Sequence, residues 1–234
     1  MSGIAYGVGV GPGDPELMTA KAIRLIREND VIAVPGQDAK ASVAYGIAAS
    51  MVPELAQKEL VPVPMPMTRD KERLRKAHVE GARLIESYLN QGKNVVYLTL
   101  GDPSIYGSFS YLQRLLLSDG YPVETVPGVP SFSAAAARLN LPLVEGDEPL
   151  HVAPGAHDMG ETLRLPGTCV LMKASGPLGE TKARLKSSGK EVFAVENCGM
   201  DTEKLYRGVD QLPDSAGYLS LIVAKDPPDR PLTA

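Results

Sequence analysis

The sequence predicts an α/β protein of two domains. Short apolar runs of strand length alternate with stretches whose apolar residues recur at helical spacing, and this alternation spans all 234 residues. Three of the runs end in glycine- and proline-rich turns, at residues 7–15, 99–108 and 126–135. Open α/β sheets place ligands at the carboxyl ends of strands, where these turns fall.

The elements follow in order. Residues 4–10 read as a first strand that enters a glycine loop. Asp14 suits an N-cap and Pro15 a first helical position, and Leu17, Ala20, Ile23 and Ile26 then recur with helical period. Residues 31–34 form a short apolar strand stopped by Pro35-Gly36, a helix is expected over 42–51, and a strand over 60–63 ends among prolines. A longer helix over 69–89 carries Leu74, Gly81, Ile85 and Tyr88 near one face. The strand 95–100 runs into Gly101-Asp102-Pro103. Ile105, Phe109, Leu112 and Leu116 mark the next helix, 123–126 is a strand, and 131–139 is a small alanine-rich helix.

Residues 140–149 are rich in proline and acids and read as the crossover into a second domain. We divide the chain into 1–128 and 129–234. Beyond the crossover, strands are expected at 150–153, 168–172, 191–195 and 218–224, with helices near 176–187 and 202–208. The tail 225–234 reads as a solvated end.

Composition narrows the function. Hydrophobic residues make up 44% and charged residues 22%, as in an ordinary globular protein. The apolar runs are too short to span a bilayer. The N-terminus lacks a basic region followed by an apolar block, so a cytoplasmic protein is the simple expectation. Cys169 and Cys198 form no CxxC pair, and His78, His151 and His157 form no HExxH pattern, so no protein-held metal is expected. A net charge of −4 offers no global attraction to nucleic acid.

Each glycine-rich turn has two readings. Gly7-Val8-Gly9-Val10-Gly11-Pro12-Gly13-Asp14-Pro15 suits either an anionic group at a helix start or a tight strand-to-helix turn. It does not fit G-x-G-x-x-G, because Pro12 or Asp14 stands where the last glycine is needed, and no acid follows at the end of the next strand. Asp102 either receives hydrogen bonds from a ribose or amino group or closes an Asp-Pro turn and caps the next helix. Ser131 either meets a ligand or caps its own helix. No Walker sequence and no GxSxG elbow is present.

Taken together, G-x-G-P-G-D-P from Gly9, G-D-P-x-x-Y-G from Gly101 and V-P-G-V-P-S-F from Val126 resemble the tetrapyrrole methylases. The resemblance covers nearly the whole chain and continues through Val170-Leu171-Met172-Lys173 and Val195-Glu196-Asn197. Leu98-Thr99-Leu100-Gly101-Asp102-Pro103, Tyr106, Tyr111-Leu112 and residues 18–35 look most like the family's precorrin-2 C20-methyltransferases.

The resemblance implies a two-domain class III methyltransferase fold, with S-adenosylmethionine bound in a cleft between the domains, and a homodimer. It implies cofactor contacts from Pro12, Leu100, Gly101, Asp102, Ile105, Ser131, Phe132 and Met172. Cys198 falls where many relatives carry glycine, which puts a backbone contact there in question. The implied chemistry is displacement at a sulfonium methyl, which asks for alignment and exclusion of water. Asp14 and Tyr106 are the candidate acceptors for the proton lost afterwards. The substrate is a small tetrapyrrole with many carboxylates, for which residues 67–76, Lys21, Arg24 and Arg138 are candidate partners. The basic run also reads as a solvated helix face with a Glu72–Lys76 pair. Two alternatives stand beside this one. One is another methylation within the superfamily, of C11, C17, uroporphyrinogen III, RNA or protein. The other is a non-catalytic sensor of cofactor or tetrapyrrole.

Overall fold

A computed structural model of the chain describes residues 2–68, 70–155 and 159–227. Arg69 of the basic run, His157 and most of the tail lie outside the described residues. The chain forms two compact units, Met1–Pro130 and Ser131–Ala234.

The first unit runs β1 (Ala5–Gly9), a 3₁₀ turn (Pro15–Leu17), α1 (Ala20–Glu28), β2 (Val31–Pro35), α2 (Val43–Met51), a second 3₁₀ turn (Pro53–Gln57), β3 (Glu59–Val63), α3 (Lys71–Leu89), β4 (Val95–Thr99), α4 (Phe109–Ser118) and β5 (Val123–Val126). Its five strands pair in parallel in the order β3-β2-β4-β1-β5. Alternation along the strands feeds two cores. Val96 and Leu98 of β4 pack with Leu25 and Ile26 of α1 and Ile47 of α2. Val95 and Tyr97 pack on the other face with Ile85 of α3 and Phe109 and Leu112 of α4. Both faces are therefore covered, as a parallel sheet requires. The chain leaves β1 across β4 to reach β2, and leaves β4 across β1 to reach β5. The loops after β1 and β4 thus depart in opposite directions, the kind of switch point at which open α/β sheets place ligands.

Two helices of the first unit differ from expectation. The helix expected from Pro15 breaks at Met18-Thr19. Asp14 caps only the 3₁₀ turn, accepting from the Glu16 N–H at 2.9 Å. Thr19 then caps α1 through the Ala22 N–H at 3.2 Å. A second good cap at Thr19 makes a restart favourable, and Met18 is buried between the two pieces. Ile105 lies outside α4, which begins four residues later. Gly107 closes the turn before it, where a Cβ would meet the Pro103 carbonyl oxygen at 2.7 Å.

The second unit contains α5 (Ser131–Leu139), β6 (Leu150–Pro154), α6 (Met159–Thr162), β7 (Thr168–Met172), β8 (Gly176–Pro177), α7 (Gly179–Ser188), β9 (Glu191–Glu196), β10 (Lys204–Arg207), a 3₁₀ turn (Val209–Gln211), β11 (Ser215–Ala216) and β12 (Ser220–Lys225). Its main sheet has the order β10-β9-β12-β7-β6, and β8 and β11 form a separate pair. Only β6 and β7 run parallel within the main sheet; the other pairs are antiparallel. The alternation of strands and helices thus builds a parallel sheet in the first unit and a mixed one in the second. Helix α5 packs on β9 and β12, so residues 140–149 lie inside the second unit and do not lead into it.

The helix expected at 202–208 is instead β10, paired antiparallel with β9 from Lys204↔Glu196 to Arg207↔Phe193. Seven residues are few for a helix without tertiary support. Its basic ends suit an edge strand, and the Tyr206 hydroxyl donates to Glu196 at 2.9 Å.

An ion pair between buried Lys190 and half-exposed Asp226 anchors the end of β12. Lys190 Nζ is held by Asp226 Oδ1 at 2.5 Å and by the Gly167 carbonyl at 2.9 Å. Asp226 Oδ2 accepts from the Gly167 N–H at 2.6 Å. Lys190 beside it holds the Asp226 carboxyl below its ordinary range, and Arg138 does the same for Glu203. A carboxylate depressed on folding stabilises the fold above its unfolded pKa, and that contribution is lost as pH falls through the folded value. The melting temperature is therefore expected to hold steady above about pH 5 and to fall in acid as carboxylates protonate from about pH 4 downward. The acid loss should shrink in Asp226→Asn. An equal loss in that variant would remove the pair from the account.

Candidate active site

The three turns at the carboxyl ends of β1, β4 and β5 meet backbone to backbone. The Gly101 N–H donates to the Gly11 carbonyl at 2.7 Å, and the Gly11 N–H to the Gly101 carbonyl at 3.4 Å, which makes an isolated antiparallel bridge. Val10 N–H donates to the Thr99 carbonyl at 2.9 Å. Gly11 and Gly101 both take left-handed φ, 78° and 71°, where a side chain is strained. A Cβ on Gly128 would lie 2.2 Å from the Gly101 carbonyl oxygen, and one on Gly9 would lie 2.7 Å from the Gly128 Cα. Gly9 and Gly128 are thus required by the approach of the turns to one another.

Asp102 locks this arrangement. It is 8% exposed. Its Oδ2 accepts from the Gly128 N–H at 2.9 Å, and its Oδ1 from the Ser104 N–H at 2.8 Å and from the Ser104 hydroxyl. The Asp-Pro turn foreseen from sequence is present. The carboxylate does not cap α4, and it reaches across to the turn after β5. A carboxylate has about four acceptor positions, so three protein donors leave it one more.

The other predicted residues of the first unit cluster around this point in the chain. Pro12 is buried after Gly11, and Leu100 and Ile105 flank Gly101-Asp102 half-exposed. Tyr106 is 45% exposed with φ 50°. Asp14 is half-exposed on its 3₁₀ turn, with one oxygen held by the Glu16 N–H.

In the second unit, Ser131 and Phe132 open α5 and are half-exposed. Met172 ends β7, opposite Leu221 near the start of β12, and Glu196 ends β9 opposite Ser220. Met172 and Cys198, both buried, therefore belong to the same end of that sheet. Four non-glycine residues among those described have positive φ. Three of them, Tyr106, Lys173 and Asn197, neighbour the predicted contacts Ile105, Met172 and Cys198. Strain of this kind costs on the order of 1–3 kcal/mol per residue and gathers at functional sites.

Sequence reasoning missed Thr99. Its Oγ1 is buried with no hydrogen-bond partner among the described residues, immediately before Leu100. An orphaned buried hydroxyl at a strand's carboxyl end marks a place where a ligand's polar group would be satisfied. The polar residue closing an otherwise apolar strand was its only signal in the sequence.

The basic candidates separate. Lys76 pairs with Glu72 at 3.3 Å, as the solvated-face reading expects. Arg24 pairs with Glu28 at 2.6 Å, Lys21 with Glu124, and Arg138 grips Glu203 through two nitrogens at 2.8 and 2.6 Å. Lys21 and Arg24 line a polar cleft of about 370 Å³ with Tyr6, Asn29 and Asn94. This cleft opens toward the amino ends of the strands, away from Asp102. Lys21, Arg24, Lys76 and Arg138 are thus already engaged, which counts against them as carboxylate receptors. Among the described residues, no group of three or more His, Cys, Asp or Glu side chains is placed to hold a metal ion. None of their helices is long and apolar enough to cross a membrane.

The first of the two α/β units thus carries converging glycine turns at the carboxyl ends of its strands, without the G-x-G-x-x-G pattern of the dinucleotide fold. Residues 5–211 match the family model of the tetrapyrrole (corrin/porphyrin) methylases, and the chain belongs to that family. It is 37% identical over 225 residues to a probable cobalt-precorrin-2 C(20)-methyltransferase of Methanocaldococcus jannaschii, covering 94% of this chain and 95% of that protein. It is 31% identical over 250 residues to a precorrin-2 C(20)-methyltransferase of Sinorhizobium sp, covering 99% and 100%. Among solved structures, uroporphyrin-III C-methyltransferase of Thermus thermophilus complexed with S-adenyl homocysteine superposes with a TM-score of 0.68 at 25% identity, covering 95% and 97%.

Proposed function

We propose that this chain transfers a methyl group from S-adenosylmethionine to carbon 20 of precorrin-2 or its cobalt-bound counterpart, in cobalamin biosynthesis. The observation that carries the reading is the near-full-length identity to two C20-methyltransferases. The turn geometry supports the donor's place. Pro12, Leu100, Gly101, Asp102 and Ile105 of the first unit, and Ser131, Phe132, Met172 and Cys198 of the second, are the proposed donor contacts. Residues and donor fit in kind: Asp102 has an acceptor position left for a ribose hydroxyl or ammonium group, and Thr99 Oγ1 lacks a partner.

S-adenosylmethionine, when bound, supplies a methyl carbon already activated by its sulfonium. The side chains then have two tasks. Leu100, Ile105, Phe132 and Met172 exclude water and restrict the approach of the substrate carbon. Asp14 stands as the acceptor for the proton that the methylated bridging carbon sheds, and the Tyr106 hydroxyl takes that proton only by passing its own to water. Protonating Asp14 would weaken its hold on the Glu16 N–H, so water can share this role. Homodimerisation and a cytoplasmic location belong to the same proposal.

Incubation with labelled donor and each of the two precorrins, followed by mass analysis and mapping of the new carbon, tests the reading. One methyl at carbon 20 is expected. A methyl at carbon 11 or 17 would replace the regiochemistry and keep the family. No transfer to any tetrapyrrole would leave a sensor in place of an enzyme.

A further inference from the structure

One group of side chains in the first unit is not used by the donor site. Tyr111, in the first turn of α4, is 45% exposed and lies flat on the His78 imidazole of α3, with ring centroids 4.3 Å apart and planes 9° from parallel. The Arg114 guanidinium carbon lies 5.2 Å from the Tyr111 ring centroid. Lys71, Arg75 and His78 stand at i, i+4 and i+7 on α3, and so share one face of that helix.

Among the described residues the cations of this group form no ion pair, and neither do Lys40, Lys58, Arg73 and Arg83 of the same unit, but only here do such cations gather beside a stacked aromatic pair. Lys21, Arg24, Arg27, Lys76 and Lys93 of the same unit each hold a carboxylate. Lys71, Arg75 and Arg114 make no ion pair among the described residues, although the chain carries 28 acids. Burial, with the Arg114 charge adding to it, pushes the His78 imidazole below its ordinary pKa, so it stays neutral beside the cations at pH 7. The stack restricts Arg114, which lowers the entropy lost when its planar fork meets a carboxylate. Helix α4 begins at Phe109, after the turn that carries Asp102, so Tyr111 and Arg114 lie close in the chain to the proposed donor loop.

We propose that Lys71, Arg75, His78, Tyr111 and Arg114 form the seat for the peripheral carboxylates of the tetrapyrrole substrate, an inference that rests on the methyltransferase reading above. Arg75 and Arg114 take the carboxylates, Lys71 adds a point charge, and Tyr111 is a positioning residue that holds Arg114 and shields one edge of the macrocycle. Charge-assisted hydrogen bonds of this kind are each worth roughly tenfold in affinity.

The test uses the full chain and three porphyrin probes followed by fluorescence quenching: uroporphyrin with eight carboxylates, coproporphyrin with four, and uroporphyrin octamethyl ester with none. The native chain is expected to bind them in that order. Arg75→Ala with Arg114→Ala should weaken uroporphyrin binding about a hundredfold and raise KM for the precorrin more than it lowers kcat. The Kd for S-adenosylhomocysteine should be unchanged. Arg114→Lys should recover part of the loss, and Arg24→Ala should change nothing. Tyr111→Leu should reproduce part of the Arg114 effect, whereas Tyr111→Phe should not. Native-like uroporphyrin affinity in the double variant, or equal affinity of the native chain for the ester, overturns the seat and leaves the methyltransferase reading standing. A native chain that neither binds nor methylates any tetrapyrrole overturns that reading and the seat with it.

Discussion

Asp102→Ala is expected to weaken binding of S-adenosylhomocysteine by a hundredfold or more and to reduce methyl transfer at least as much. The substitution removes the acceptor for the Gly128 N–H, the Ser104 N–H and the Ser104 hydroxyl together. Each buried donor left without a partner costs about 1–3 kcal/mol. The Gly128 and Ser104 amides are only partly buried, so each sits toward the low end of that range, and together they make a deficit of about 3 kcal/mol, which corresponds to two powers of ten if it falls on the binding-competent arrangement of the turns. Ser104 can turn its hydroxyl to water, so it adds little. Asp102→Asn keeps one acceptor oxygen and sets an NH₂ against a donor, so its effect should be intermediate. Calorimetric titration with the demethylated donor reads both. An alanine variant that binds within threefold of the native chain would show that Asp102 neither holds the turns nor meets the ligand.

Gly128→Ala is expected to have the second large effect. The new methyl would stand 2.2 Å from the Gly101 carbonyl oxygen and 2.9 Å from the Gly9 Cα. Both obstacles are backbone, so no rotamer change relieves them, and the cost should exceed the 1–3 kcal/mol usual for overpacking a core. The turns after β4 and β5 must separate, which also stretches the Gly128–Asp102 bond. Donor affinity should fall at least a hundredfold. Gly9→Ala, with its Cβ 2.6 Å from the same Gly101 oxygen, should act in the same direction. Gly46→Ala is the contrasting case. It lies exposed in α2 with nothing within 4 Å of its Cβ, so it should stabilise the chain by about 0.5–1 kcal/mol. Circular dichroism separates a misfolded Gly128 variant from a folded one that cannot bind. A folded Gly128→Ala chain with native donor affinity would refute the packing argument.

The first unit was largely legible in the sequence, because a parallel sheet covered on both faces writes itself as apolar runs such as Val95–Thr99 between amphipathic helices. The second unit was less so. Residues 202–208 carry no pattern strong enough to separate a short helix from an edge strand, and the pairing of Lys204–Arg207 with β9 decides it. Thr19 was hidden because Asp14-Pro15 offers an equally good start, and only the packing of Met18 shows that the chain uses both. The three turns were visible as motifs, but not what their glycines do. Sequence suggests glycine makes room for a ligand, whereas Gly9 and Gly128 make room for each other and for Gly101. Arg24 lies four residues before Glu28, a pairing that helical spacing reveals, whereas the pairing of Arg138 with Glu203, 65 residues apart, shows only in the fold.

Hydrogen exchange with and without S-adenosylhomocysteine asks most directly whether the turns after β1, β4 and β5 are where the donor sits. Slowed exchange is expected at the amides of residues 11–14, 100–105 and 128–132, with the ends of β7 and β9 following. Slowing confined to the amino ends of the strands, around Tyr6, Asn29 and Asn94, would place the ligand at the opposite end of the sheet and contradict the site described above.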